Sequence, residues 1–588
     1  MAFATARHPA AAAPVAIEGY SDFKSLTEQV QSLARPDLCT IRALAKSPGG
    51  REVWLVTIGK GQVDQKPAVL VVGNVDAGHL VGSELAVRMA RSLVEKADDD
   101  SVKRLLERYT FYFIPRPNPD GSEAFFRAPL QSRAGNDAHT DDDRDFEIGE
   151  DPADDLNGDG VITMMRVADP AGKYMPHRED ARVLIEADPK KNEVGRYSLY
   201  VEGKDDDHDE AYNEDGSGGV SFDRNWTFKY PFFKIAAGPN QVSEPETRAV
   251  ADFAFDHANI AAVFCFSPED NLMNPWKPTD GQGRIKTAIQ KDDAAHMDYI
   301  AEQYKKIHGG KDAPPSPAGE GSFGGWAYFH YGRWSLAARG WWIPKLEPAK
   351  KDGKNDDAAK KESEKEDGST VAGAAAEGAD QATKKKSGKE KSGKEQPTDT
   401  KPETRGADQV NALKWFDREE IDGFVPWTPV EHPDFPGKKV EVGGFKPFVL
   451  ANPPAKELDA LAEKHHQFLL EFSKYLAQLQ IADVKVESLG GGVYRIACHV
   501  LNTGYLPTMS EMGRLNRGAY PLQVELTLPE KTQFLKGTRR AELARLAGRG
   551  GKAEMNWLVR TPEGKPAEGK IAVYAPAVGR AESPVELK

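Results

Sequence analysis

The 588-residue chain reads as an α/β protein with a smaller all-β unit behind it. Three observations carry that expectation: short continuous apolar runs, amphipathic segments of helical period between them, and a C-terminal region of short strands broken by turn residues. The run from Pro67 to Gly73 is apolar throughout and reads as a buried strand. Leu80 to Lys96 follows, with Val81, Leu85, Met89 and Leu93 at four-residue spacing, as in a helix that lays one face on a sheet. Thr110 to Pro115 and Ile260 to Phe266 read as two further strands, each ending where a loop can carry chemistry. The helix before Ile260 is expected to start at Ser243, because Ser243 and Glu246 have the S-x-x-E spacing of a capping box. From Gly19 to about Lys345 the alternation therefore predicts a sheet covered by helices on both faces.

Residues 346 to about 407 break the pattern. They are Lys, Glu, Asp, Ala and Gly without apolar periodicity, and such a tract cannot bury enough surface to offset its ordering entropy. It reads as a disordered charged insertion. Order resumes at Val410, and a helix from Ala455 to Gln480 closes the first domain. Val484 to Glu487, Gly492 to Asn502, Leu522 to Leu528 and Lys570 to Ala575 then read as strands of a β-sandwich. The expected divisions are a flexible 1–18, an α/β domain made of 19–345 and 408–480, the insertion 346–407, and a sandwich over 481–588.

The formal net charge of -13 gives no electrostatic footprint for nucleic acid or anionic lipid. Cys39, Cys265 and Cys498 are too few and too scattered for a disulfide framework or a Cys-rich zinc module. No run of eighteen apolar residues occurs, so no transmembrane segment is expected. The first twenty residues lack the basic and apolar regions of a signal peptide.

Several motifs in fixed order point further. Gly73 to Leu85, G-N-V-D-A-G-H-L-V-G-S-E-L, resembles the zinc carboxypeptidase (M14) segment G-N-x-H-x-x-E-x-x-G-x-E. Asn118-Pro119-Asp120-Gly121 matches that family's next strand end, and Phe222 to Trp226 resembles its D-x-N-R-N-F region. Ser243 to Thr247 (S-E-P-E-T) and Trp326 to Gly332 follow in order, as do Gly423 to Trp427 and Val440 to Phe445. The resemblance spans roughly residues 19 to 480. It implies a three-layer α/β/α carboxypeptidase-like domain with a mixed sheet.

Members of that family hold one zinc with two imidazoles and a carboxylate, and a separate glutamate activates the attacking water. Carried onto this chain, the first two ligand positions are Asp76 and His79, acid and imidazole in reversed order. The third falls at Phe266, which has no donor. Counting past Gly332, the glutamate position falls at Arg339 or Gly340, neither of which is a base. Asp76 paired with Arg339 would replace the metal with an ion pair. Arg224 and Asn225 match the residues that bind the substrate's terminal carboxylate and polarise the scissile carbonyl, a task suited to the planar guanidinium fork.

An acidic insert offers a different cation. Asp155, Asn157 and Asp159 alternate ahead of Gly160 as in the first half of a calcium loop, with Arg166 at the twelfth position, and Asp141, Asp143 and Asp145 could supply further oxygens. Three readings follow. The first is a non-catalytic relative that binds a peptide or protein C-terminus through Arg224. The second is an active zinc carboxypeptidase using Asp76, His79 and an acid near Glu269. The third is a calcium-stabilised structural or adhesion protein. The resemblance implies a bacterial, extracellular or periplasmic setting.

Overall fold

A computed structural model describes residues 17–141, 148, 154–206, 212, 218–281, 283–317, 319–346, 404–562 and 567–588. The expectations for the N-terminal segment up to residue 16, for nearly all of the charged insertion, and for Asp143 and Asp145 lie outside the described residues.

The strands are, in order, β1 Cys39–Lys46, β2 Glu52–Ile58, β3 Ala68–Asn74, β4 Thr110–Ile114, β5 Met164–Ala168, β6 Tyr174–Pro176, β7 Leu184–Glu186, β8 Tyr197–Val201, β9 Ile260–Phe266, β10 Trp334–Ala338, β11 Phe424–Val430 and β12 Val440–Phe445. The main sheet runs β1-β2-β4-β3-β9-β10, antiparallel over its first three strands and parallel from β4 onward. Every residue of β3, β4 and β9 is buried, because inner parallel strands have helices on both faces. Successive side chains divide between two cores. Val69, Val71, Phe111, Phe113, Phe264 and Phe266 face the helices Leu80–Glu95, Lys291–His308 and Leu458–Tyr475, whereas Leu70, Val72, Tyr112, Val263 and Cys265 face Pro245–Asp256 and Phe323–Phe329. The mixed three-layer arrangement is the expected one.

Two expected helix ends move. The helix of the S-E-P-E-T motif begins at Pro245 with Glu244 as its cap, and no side chain caps it. Proline is pre-set for the first helical position, so it overrides the capping-box spacing of Ser243 and Glu246. The last helix of the domain stops at Tyr475, and by Leu479 the chain has entered the first strand of the sandwich, Leu479–Gly490.

A second six-stranded sheet, β11-β12-β5-β8-β6-β7, was not anticipated. It joins two distant pieces of chain, with Val440 opposite Val167 and Val442 opposite Met165. The C-terminal unit is two four-stranded antiparallel sheets packed on Tyr494, Ile496, Val524, Trp557 and Val573, the expected sandwich. It is docked on the first domain by buried polar contacts: Asp293 accepts the Glu511 and Met512 amides at 2.8 and 3.1 Å, and Arg333 donates to the Gly518 carbonyl at 2.6 Å.

Candidate functional site

The loops that leave the carboxyl ends of β3 and β9 face the second sheet across a cavity of about 480 Å³. Asp76 and His79 line it, together with Phe125, Phe424, Trp427, Phe445 and Phe448. Asp76 is partly buried and, among the described residues, accepts only the Gly78 amide, at 2.9 Å. Burial raises its carboxyl above the usual range. His79 occupies the N-cap of the helix Leu80–Glu95, 1% exposed, and among the described residues neither ring nitrogen makes a full hydrogen bond, although the Arg339 backbone lies close to it. Burial first, and then the charge of Arg339, push its pKa down to about 3, against a weaker pull from the Arg339 backbone. The imidazole is therefore neutral at physiological pH.

Phe266 is fully buried and turned away from this cavity into the core, edge-on to His465 with ring centroids 5.1 Å apart. Gly82 makes the room, since a β-carbon there would stand 2.5 Å from that of Phe266. The ligand position of the resembled family has become part of the packing.

Next to it lies a group of acids. Asp223 accepts the Phe323 amide at 2.8 Å and the Ser267 hydroxyl at 3.4 Å. Its carboxyl is raised well above the usual range by burial, then by the charge of Glu269, with Asp76 adding to the effect. Burial pushes Glu269 up to about 7, although the Ser322 hydroxyl and the Lys229 charge favour its anion. Asp270 accepts the Leu272, Met273 and Arg339 amides and is fixed by its own loop.

Arg339 does not pair with Asp76, contrary to expectation. Its guanidinium donates to the Pro268 carbonyl at 3.0 Å and the Pro315 carbonyl at 3.1 Å, and its backbone amide binds Asp270. Two loop carbonyls thus hold the charge and leave the acid uncompensated. Gly340, the alternative register, is buried with φ +81° against Leu85 and Phe266, a conformation that a glutamate would strain.

These residues do not fit a zinc. One imidazole and one acid flank a phenylalanine position, and among the described residues no group of three or more His, Cys, Asp or Glu could hold a metal ion.

Arg224 and Asn225 separate in role. Asn225 is fully buried, and its amide donates to the carbonyls of Ala237 and Asn240 and to Ser243 while accepting the Ser243 amide. That side chain clamps the loop 237–243 and has no capacity left for a substrate, which corrects the expectation. The partly buried Arg224 guanidinium has no ion pair or hydrogen bond among the described residues.

The acidic insert folds around Asp155, whose carboxylate accepts the amides of Gly158, Asp159 and Gly160 at 2.7–3.2 Å. Asn157 and Asp159 cap the amides two residues ahead. Arg166 points elsewhere, to Glu441 at 2.9 Å and over the Trp427 ring. Glu202, missed in the sequence, closes the loop by accepting the Leu156 and Thr163 amides. Asp223 was missed too. Its position beside Arg224 was the available signal, but an acid next to an arginine reads as an ordinary surface pair.

Residues 25–179 match the zinc carboxypeptidase family, Peptidase M14. The chain carries an M14 carboxypeptidase-like domain. Residues 478–586 match a second family, described only as a domain of unknown function (DUF8731), which coincides with the sandwich. Among similar proteins, the chain is 27% identical over 115 residues to a zinc carboxypeptidase of Saccharothrix mutabilis subsp. capreolus, covering 19% of this chain and 26% of that protein. It is 29% identical over 93 residues to carboxypeptidase E of Caenorhabditis elegans, covering 15% and 20%. The chain thus spans about a quarter or less of the length of these relatives. Solved structures similar to it include thrombin-activatable fibrinolysis inhibitor, at 14% identity with a TM-score of 0.33, covering 54% of this chain and 67% of that one. Carboxypeptidase A from Helicoverpa armigera gives 14% and 0.32, covering 54% and 63%.

Proposed function

We propose that this M14 carboxypeptidase-like protein does not hydrolyse peptides and instead binds a peptide chain end, with Arg224 receiving the terminal carboxylate. One observation carries the reading: the positions for the third metal ligand and the general base are occupied by Phe266, sealed in the core, and by Arg339, tied to the Pro268 and Pro315 carbonyls. Hydrolysis needs a polarised water and a carboxylate to deprotonate it, and neither position supplies one. Arg224 suits a chain end because its fork is unpaired among the described residues and an ionised carboxylate matches it with two charge-assisted bonds.

Short peptides with a free carboxylate are compared with their amides in binding to the full chain. The free acid binds at least tenfold tighter, and Arg224→Gln erases the difference while leaving Tm unchanged. Equal binding of acid and amide by the natural protein contradicts the reading.

The Asp155 loop favours a second, compatible role for calcium, because its carboxylate already folds the chain into the turn that such loops use. In this reading calcium stabilises the protein and takes no part in ligand binding.

A further inference from the structure

The turn that carries Asp223 and Arg224, Phe222–Arg224, is tied down on both flanks, and both ties run to the same two buried acids. On the entering side Asn136 exchanges two bonds with Val220: its backbone amide donates to the Val220 carbonyl at 3.0 Å, and its Oδ1 accepts the Val220 amide at 2.9 Å. On the leaving side the Asn225 amide donates to the Ser243 hydroxyl at 3.1 Å, and that hydroxyl donates to Glu244 at 2.8 Å. The two ties meet at Asn136 Nδ2, which donates to Glu244 at 2.8 Å and to Glu246 at 2.7 Å.

Two carboxyl groups thus share one amide. Asn136 and Glu246 are fully buried and Glu244 nearly so. Among the described residues neither acid forms an ion pair, and Oε2 of Glu246 has no hydrogen-bond partner. The surrounding charges give no relief. Asp120 repels Glu246 and is itself bound to Arg51, which also binds Asp137. Arg133 is held by Asp137 and by the Asn136 and Gly218 carbonyls, and Arg248 faces Asp252 on the exposed side of the helix Pro245–Asp256. Tyr230, within reach of Glu244, spends its hydroxyl on the Ala237 and Gly238 carbonyls. Two like charges so close and so far from water are costly to keep together, so one proton belongs to the closed arrangement. Burial pushes Glu246 up to about 7 against the Asn136 amide and its own backbone, with the charges of Glu244 and Asp120 adding to the rise.

We infer that Glu244 and Glu246 form a pH-sensitive clip, which holds the Arg224 turn while the pair keeps a proton and releases it once both acids ionise. When the proton passes to solvent, two anions remain on one amide and water must enter to solvate them. Asn136 then gives up Val220, and the turn loses its entering tie. Both acids are positioning residues that act through Asn136 and Ser243. Only the step from a released turn to weaker binding rests on the chain-end reading of Arg224.

Amide hydrogen exchange of the full chain between pH 6 and 8.5, corrected for the intrinsic rise of exchange with pH, reads the clip without a ligand. Protection of the Val220 amide falls at least tenfold relative to the Leu70 amide of β3. Glu246→Gln keeps the acceptor for Asn136, cannot ionise, and holds the protection constant. Asp223→Asn and Glu269→Gln, which remove the other raised acids beside the turn, leave the fall in place and assign it to this pair even if Glu246→Gln does not fold. Affinity for an N-acetylated apolar tripeptide acid, which has no group titrating in this range, falls at least tenfold as well. Val220 protection that tracks Leu70 at every pH, or a fall that persists in Glu246→Gln, overturns the clip. Falling protection with no measurable peptide binding keeps the clip and rejects the chain-end reading. Falling protection with affinity constant in pH overturns the coupling to Arg224.

Discussion

Behind the end of β9, Phe266, His465, Tyr304 and His308 form a closed interior in which the polar atoms find partners: His465 binds the Leu461 carbonyl and the Tyr304 hydroxyl, and His308 lies on Trp342 with ring centroids 4.9 Å apart. In front of the same strand end, Asp76, which accepts a single amide, and His79, whose ring nitrogens have no full hydrogen bond among the described residues, line a cavity. The position that the resemblance assigns to a third ligand, Phe266, is part of the packing, whereas Asp76 and His79 stay polar at the cleft. A site in simple decay would be expected to lose its polar groups on both sides, because an unpaired buried charge is among the most destabilising features a fold can carry. The contrast is what the proposed binding role rests on.

The sharpest way to break the contrast is to restore the imidazole. Phe266→His should cost about 3 kcal/mol or more in urea unfolding, since it removes a fully buried ring and places a polar group where no partner waits. A loss below ~1 kcal/mol, with stoichiometric zinc taken up, would mean that the position still faces the cleft.

Next in size is the pH response, which should differ in sign between the buried histidines and the buried glutamates. Burial depresses His465 and His79 to about 3 and His308 and His466 to about 4, from an ordinary 6.5. The unfolded chain takes up protons that the fold refuses, so this stability is complete above pH 6.5 and is lost as pH falls through the window down to about 3–4. Glu269 and Glu246 are both raised from 4.5 to about 7, chiefly by burial, so their contribution is present below pH 4.5 and is lost as pH rises toward 7. His466, buried with both nitrogens unpartnered among the described residues, gives the cleanest handle on the histidines: His466→Leu should raise stability by about 1 kcal/mol and flatten the acid limb. Glu269→Gln should flatten the limb between 4.5 and 7. Chemical denaturation across pH 3 to 9 checks both, and a single limb shared by the two variants would erase the distinction.

Calcium should give the smallest effect. At a concentration equal to its Kd it raises stability by about 0.4 kcal/mol, seen as a small rise in Tm that Asp159→Ala abolishes. A Tm indifferent to both calcium and chelator removes that role from the Asp155 loop.

Much of the main sheet was legible because inner parallel strands announce themselves as unbroken apolar runs, and β3, β4 and β9 fall within a residue or two of their expected places. The second sheet was not. Its strands are three to seven residues long and partly exposed, and partners such as Val167 and Val440 are separated by hundreds of residues. At the site, motif order located Asp76, His79, Phe266 and Arg339, but side-chain direction decided their roles. Nothing in the sequence says that Arg339 would turn to two proline carbonyls, that Asn225 would be consumed by its own loop, or that the charges of Asp76 and Glu269 would both reach Asp223.

The most direct measurement is metal content and amino-acid release on one preparation of the full chain: zinc per protein by elemental analysis, and liberation of the last residue from unblocked peptides with and without a chelator. The expected result is far less than one zinc per chain and no release above the blank in either condition. One zinc per chain, with release that the chelator abolishes, would contradict the reading of Phe266 and Arg339 on which the rest depends.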